Sequence, residues 1–228
     1  MITLYHCMDA RSLRPLWMME ELGLPYELKM LPFPPRVLAK EYLKENPLGT
    51  IPLLLDGETR MTESSAMCEF LAARYGPTPL AVTPNDSAFG SYLNWLHFGE
   101  ATLTFPQTIV LRYSQFEPKE RRLPQAVTDY ARWFLGRLRA VDVALRHSEY
   151  LCAGRFTAAD ISVAYACLLA EIVGFEASFS PSIREYLKRI KVRSGFQRAQ
   201  IAQRSAGAQL NDLGVQARAI DLHSVFKC

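Results

Sequence analysis

Short apolar runs at residues 2–5, 26–31 and 51–55 read as strands. A fourth run, 58–61, follows the third across Asp56-Gly57, a pair that favours a tight hairpin. Between the first two runs, Leu13, Leu16, Trp17, Met19 and Leu22 recur at helical spacing. Ser12 stands as the N-cap of that helix, Pro15 falls in the first turn where its missing N–H costs little, and Gly23 stops it. Pro32, Pro34 and Pro35 force an irregular loop before residues 38–43 turn helical, and a further helix is predicted over 65–75. Strand-helix-strand followed by helix-strand-strand-helix implies one parallel crossover and one antiparallel hairpin in a small sheet, the thioredoxin-like arrangement.

The pattern changes at Gly76-Pro77-Thr78-Pro79. From Asp86 onward the apolar spacing is helical, over residues 87–113, 120–146, 158–173 and 181–190 and a shorter stretch after Ser194. The chain therefore divides into a thioredoxin-like α/β domain (1–76), a linker (77–85), an all-α domain (86–205) and a tail (206–228) of mixed character that receives no assignment.

Composition narrows the classes of function. Hydrophobic residues make up 49% of the 228 and charged residues 21%, an ordinary globular balance that excludes disorder and fibrous repeats. The net charge of +3 is too small for a nucleic-acid footprint, and the densest basic stretch, 188–193, reads as a solvated helix face. No export signal precedes the first strand and no apolar run reaches bilayer length, so a cytoplasmic protein without a membrane span is expected. Cys7, Cys68, Cys152, Cys167 and Cys228 are odd in number and lack metal or C-x-x-C spacing, so reduced and mostly buried thiols are expected, with Cys7 and Cys228 the exposed candidates.

Three features of the first domain carry candidate chemistry. Ile51-Pro52 opens an apolar strand where proline is otherwise awkward. A cis bond there turns the Ile51 N–H and C=O outward as a strand-like partner for an extended peptide, whereas a trans bond makes it an ordinary strand edge. Glu63-Ser64 opens a helix, where free backbone N–H groups suit a carboxylate and a nearby acid suits an ammonium; a plain N-cap is the simpler alternative. The turn from Tyr5 to Ser12 delivers polar groups to the start of the first helix, a place to stabilise a thiolate. A free thiol of pKa near 8.5 is only about 3% ionised at pH 7, and lowering that pKa by ~2 units takes roughly 2.7 kcal/mol.

The segment 4–26 ending in Glu20-Glu21-Leu22-Gly23-Leu24-Pro25-Tyr26, together with Asn46-Pro47-Leu48-Gly49-Thr50-Ile51-Pro52, Thr62-Glu63-Ser64-Ser65-Ala66 and Thr157-Ala158-Ala159-Asp160, resembles the cytosolic glutathione S-transferase family, especially its bacterial members. The resemblance covers nearly the whole chain and implies that family's architecture. It implies glutathione as co-substrate, no metal, a homodimer, and no nucleic-acid or membrane partner. Ile51 would bind the cysteinyl backbone of glutathione, and Glu63 with Ser64 the γ-glutamyl end. Thr50 stands where many members carry a lysine for the glycyl carboxylate, with Lys40 or Arg36 as substitutes.

For thiol activation Arg11 replaces the cysteine of the cysteine-using classes, and Asp9 and Ala10 occupy the catalytic serine positions of others. Ser12 is then the nearest hydroxyl, with Arg11 offering charge; Tyr5, which matches the tyrosine-using classes without a gap, ranks second and Cys7 third. The family places its second-substrate pocket between the domains, which nominates Phe33, Trp95, Phe98, Phe105 and Tyr113 as its walls, with Leu103 and Phe116 as further candidates. A helical aromatic stripe is otherwise core. His97 and Glu100, one turn apart, are too few for a metal site.

The expected activity is attack of the glutathione thiolate on a hydrophobic electrophile, a detoxifying conjugation. Glutathione-dependent reduction of a peroxide or disulfide, and a non-catalytic member that binds glutathione or a protein, are the alternatives.

Overall fold

The computed structural model describes residues 1–217. Two compact units emerge among the described residues: Met1–Thr78 with residues 192–217, and Pro79–Lys191.

In the first unit, β1 (Ile2–His6), α1 (Leu13–Leu22), β2 (Tyr26–Met30), α2 (Pro35–Leu38), α3 (Tyr42–Glu45), β3 (Leu53–Asp56), β4 (Thr59–Met61) and α4 (Ser64–Arg74) follow one another. The sheet order is β2-β1-β3-β4. β1 lies parallel to β2 with Leu4 opposite Leu28, and antiparallel to β3 with Leu4 opposite Leu54. β3 and β4 form the hairpin around Gly57 (φ +58°), the left-handed turn residue that the Asp56-Gly57 signal predicts. This is the thioredoxin-like arrangement.

One helix differs from expectation. Residues 38–43 are divided between two short helices, α2 and α3, with the break at residues 39–41. Pro35 starts α2 at a position where its missing N–H is harmless, and the Ala39 N–H ends it by donating to the Pro35 carbonyl. Residues 38–43 therefore never form one continuous turn.

In the second unit every regular element is helical. α5 (Phe89–His97) and α6 (Phe105–Leu111) are joined by a π-helical stretch, Phe98–Thr104, and a second one, Arg112–Phe116, follows. The remaining long helices are α7 (Pro124–Leu145), α8 (Ala158–Val173) and α9 (Pro181–Lys191). Pro124 rather than Glu120 starts α7, because a proline at the first helical position offers a preset φ. α8 is almost wholly buried and forms the unit's centre. Gly99 lies so close to it that a Cβ would stand 2.4 Å from the Ser162 hydroxyl oxygen, so only glycine fits there.

The last helix, α10 (Ser194–Asp212), belongs to the α/β unit. It runs seven residues into the segment left unassigned as tail, and packs on α1 and β2. Trp17 meets Phe196 edge-on at 5.0 Å, Arg193 forms a two-pronged pair with Glu21 (2.8 and 2.9 Å), and Arg198 reaches Glu20 at 2.8 Å. Sequence spacing alone assigned the stretch after Ser194 to the helical domain. Helical periodicity reports which face is apolar but not what that face meets. Residues 218–228, including Cys228, lie outside the described residues.

Candidate functional site

The loop before β3 is shaped by a buried pair. Tyr42 donates its hydroxyl to the Thr50 carbonyl at 2.7 Å, and Asn46 donates its amide to the same carbonyl at 2.9 Å. Gly49 adopts φ +62° against the Arg36 Cβ, 2.8 Å from where its own Cβ would stand, so no larger residue fits. Beyond it the Ile51–Pro52 peptide is cis. Ile51 packs on the cluster of Tyr5, Tyr42 and Leu53. No hydrogen bond among the described residues uses the Ile51 N–H or C=O. Thr50 is exposed, as are Lys40 and Arg36.

α4 begins at Ser64, with exposed Glu63 in extended conformation before it and no side chain capping its first amides. The uncapped N–H groups and the positive end of the helix dipole suit an anion. Ser64 is buried, and its hydroxyl accepts a hydrogen bond from the fully buried Arg14 guanidinium at 3.1 Å. Arg14 was not among the sequence candidates. Its position in the apolar face of α1 offered no signal that a charge would stand behind the α4 terminus.

The turn between β1 and α1 holds the remaining candidates. Ser12 is fully buried; its hydroxyl accepts from the Cys7 N–H at 3.3 Å and donates to the Cys7 carbonyl at 3.4 Å. A hydroxyl proton committed to a carbonyl cannot simultaneously be given to a thiolate, so in this arrangement Ser12 closes the turn. Arg11, one residue earlier, is half-buried. Tyr5 is buried with its ring 5.2 Å from that of Tyr42 and the Lys29 ammonium 5.3 Å from its centroid. Cys7 is fully buried, its thiol faces the Pro32 carbonyl at 3.7 Å, and burial pushes its pKa far up. The expectation of an exposed Cys7 is thus corrected, because the strand carries it into the core. Cys68, Cys152 and Cys167 are likewise free and buried.

Phe33 is half-buried in the α/β unit. In the helical unit, Trp95 meets Phe98 edge-on at 5.1 Å, and Phe98 lines a cavity of about 370 Å³ with Leu93, Asn94, His97, Ala101 and Thr102. Phe105 is 47% exposed, and Tyr113 lies beneath the Arg112 guanidinium at 5.4 Å. Leu103 is wholly buried and belongs to the core. Among the described residues, no three His, Cys, Asp or Glu side chains cluster in a way that would hold a metal ion. Nor is any described helix long and apolar enough to cross a membrane.

Residues 10–74 match the family model for the glutathione S-transferase N-terminal domain. The chain is 28% identical over 184 residues to glutathione S-transferase 3 of Schizosaccharomyces pombe, covering 75% of each chain. The fold of BphK, a bacterial GST solved as a ternary complex, superposes with a TM-score of 0.78 at 25% identity, over 90% of this chain and 99% of that one. The glutathione transferase URE2P8 of Phanerochaete chrysosporium, solved with oxidized glutathione, gives a TM-score of 0.78 at 23% identity over 90% and 95%. Residues 10–74 thus carry a glutathione S-transferase N-terminal domain, and over most of its length the chain is similar to glutathione S-transferases. The Thr157–Asp160 box starts the buried helix of the second unit. That box is complete: Thr157 and Asp160 each bond the other's backbone N–H.

Proposed function

We propose that the chain is a glutathione S-transferase that joins the glutathione sulfur to a hydrophobic electrophile. The observation that carries this reading is the uncapped start of α4, with the Ser64 hydroxyl fixed by the buried Arg14. That arrangement suits the γ-glutamyl carboxylate, and exposed Glu63 suits its ammonium. The Ile51 amide and carbonyl pair with the cysteinyl backbone of glutathione, with Thr50 beside them, Pro52 turning the chain, and Lys40 or Arg36 meeting the glycyl carboxylate.

Thiol activation falls to Arg11; the Leu13 and Arg14 N–H groups at the start of α1 are already given to the Ala10 and Arg11 carbonyls. An arginine stays charged at any working pH, and a neighbouring cation favours the thiolate. The Ser12 hydroxyl is committed to Cys7. The thiolate attacks the electrophilic carbon, a carbon–sulfur bond forms, and the leaving group departs with its electron pair. The enzyme supplies ionisation and proximity rather than a covalent intermediate. Burial of Cys7 removes it as a reductase nucleophile.

The test measures glutathione affinity by calorimetry and conjugation of a generic aromatic halide by absorbance, in the native chain and in Arg11→Ala, Ser12→Ala and Tyr5→Phe. Arg11→Ala is expected to lose roughly 100-fold in rate while retaining glutathione. Loss in Tyr5→Phe with full activity in Arg11→Ala moves the role to Tyr5. Binding by the native chain without turnover makes it a non-catalytic glutathione binder, and no binding overturns the reading. Sedimentation of the purified chain tests the homodimer.

A further inference from the structure

The turn that carries Arg11 is held from a distance. Gln203, on α10 and 1% exposed, accepts the Asp9 N–H at its Oε1 (3.1 Å) and donates its Nε2 to the Asp9 carboxylate (2.8 Å). The same Oε1 meets the His6 Nε2 at 3.1 Å, and Nε2 also donates to Gln200 at 3.0 Å. These partners admit one orientation of the amide, since flipping it would set its NH2 against the Asp9 N–H. Because Oε1 can only accept, His6 carries its proton on Nε2. One turn along α10, Gly207 faces Met8: a Cβ there would stand 2.3 Å from the Met8 methyl carbon.

Asp9 itself has φ +53°, a left-handed conformation that residues other than glycine seldom adopt without local support. The reciprocal amide–aspartate pair supplies that support. Arg11 lies two residues further on, so the Asp9 backbone angle sets where Arg11 and the first turn of α1 stand.

We infer that Gln203 is a positioning residue for thiol activation, acting through Asp9 on the β1–α1 turn. The inference rests on the glutathione reading of the α/β unit. It assigns α10 a part in the chemistry that its position in the chain, 194 residues from Asp9, does not suggest.

Gln203→Glu replaces the amide donor by an oxygen facing the Asp9 carboxylate, and Asp9→Asn in the same chain restores a donor–acceptor pair. Three readouts are taken: conjugation rate with an aromatic halide, the pH profile and thiolate absorbance of bound glutathione, and glutathione affinity. Gln203→Glu is expected to lose roughly 10- to 100-fold in rate and to move the pKa of the bound thiol up toward its free value. Affinity should stay within about threefold, because Ile51, Glu63 and Ser64 are not touched, and Asp9→Asn/Gln203→Glu should recover most of the rate.

An unchanged rate and thiol profile in Gln203→Glu overturns the inference while leaving the glutathione reading standing. Loss of both rate and affinity, with no recovery in the double variant, also overturns it. Failure of the native chain to bind glutathione overturns the reading and the inference together. Should Gln203→Glu not fold, as judged by its thermal melt, Gln203→Met, which fills similar volume without the amide, is measured in its place against the same expectations.

Discussion

Both units bury polar contacts, and the contacts are assembled over different spans of chain. In the helical unit, Asp160 accepts from the Thr157 N–H at 2.9 Å, the Leu151 N–H at 3.1 Å and the Tyr186 hydroxyl at 3.1 Å, partners three, nine and 26 residues away. In the α/β unit, Gln203 meets His6 and Asp9 across 197 and 194 residues, and Arg14 meets Ser64 across 50. The first network is closed upon itself and starts a core helix. The Gln203 network holds a turn in place, and the separate Arg14–Ser64 pair stands behind an uncapped helix terminus. Local pairs stabilise an element, whereas remote pairs align groups that the elements present.

The two networks also differ in sign. Burial pushes Asp160 up to about 6 against its four hydrogen bonds. Burial lowers His6 to about 4, with the Gln203 bond opposing. Both shifts favour the neutral form. Asp160 therefore removes stability as pH rises from 3.8 to about 6, and His6 adds stability as pH rises from about 4 to 6.5.

The sharpest way to break the comparison is Asp160→Ala, which takes the carboxylate acceptor from the buried Thr157 N–H, Leu151 N–H and Thr157 hydroxyl at once, while the Tyr186 hydroxyl keeps the Asp160 carbonyl. It should cost about 4 kcal/mol or more in urea unfolding at neutral pH. A loss under about 1 kcal/mol would mean that the box is not the helical unit's anchor. Next in size is His6→Gln, which retains a donor toward Gln203 and cannot titrate. Taken between pH 4 and 6.5, the native chain should gain roughly 3 kcal/mol more stability than this variant. The native-minus-variant difference cancels Asp160; parallel curves would show that His6 does not carry the acid sensitivity. The smallest effect belongs to Glu63→Gln at the exposed end of α4. Glutathione affinity should fall about tenfold while unfolding stays within about 0.5 kcal/mol. Equal losses in both would make Glu63 a structural cap rather than a ligand contact.

Much of the fold was legible because its signals are local. The strand periods, the Asp56-Gly57 hairpin, Pro15 inside α1 and the Thr157–Asp160 spacing each act over a few residues, and each appears where the pattern puts it. The loop at 32–43 was read less well, since prolines mark an interruption without saying where each short helix resumes. Within the site, Ile51-Pro52 and Glu63-Ser64 stood out because proline before a strand and an acid before a helix are unusual in themselves. Ser12 was chosen as the nearest hydroxyl, a criterion blind to its engagement by the Cys7 backbone.

By itself the sequence determined the elements, the thioredoxin-like order of the first unit and the helical character of the rest, because turn chemistry and periodicity act through neighbours along the chain. Only the tertiary structure decided that α10 joins the α/β unit, that Arg14 stands behind Ser64, and that Gln203 grips Asp9. A buried amide or guanidinium meets whatever the fold brings to it, and partners 50 to 194 residues away leave no mark in the local pattern.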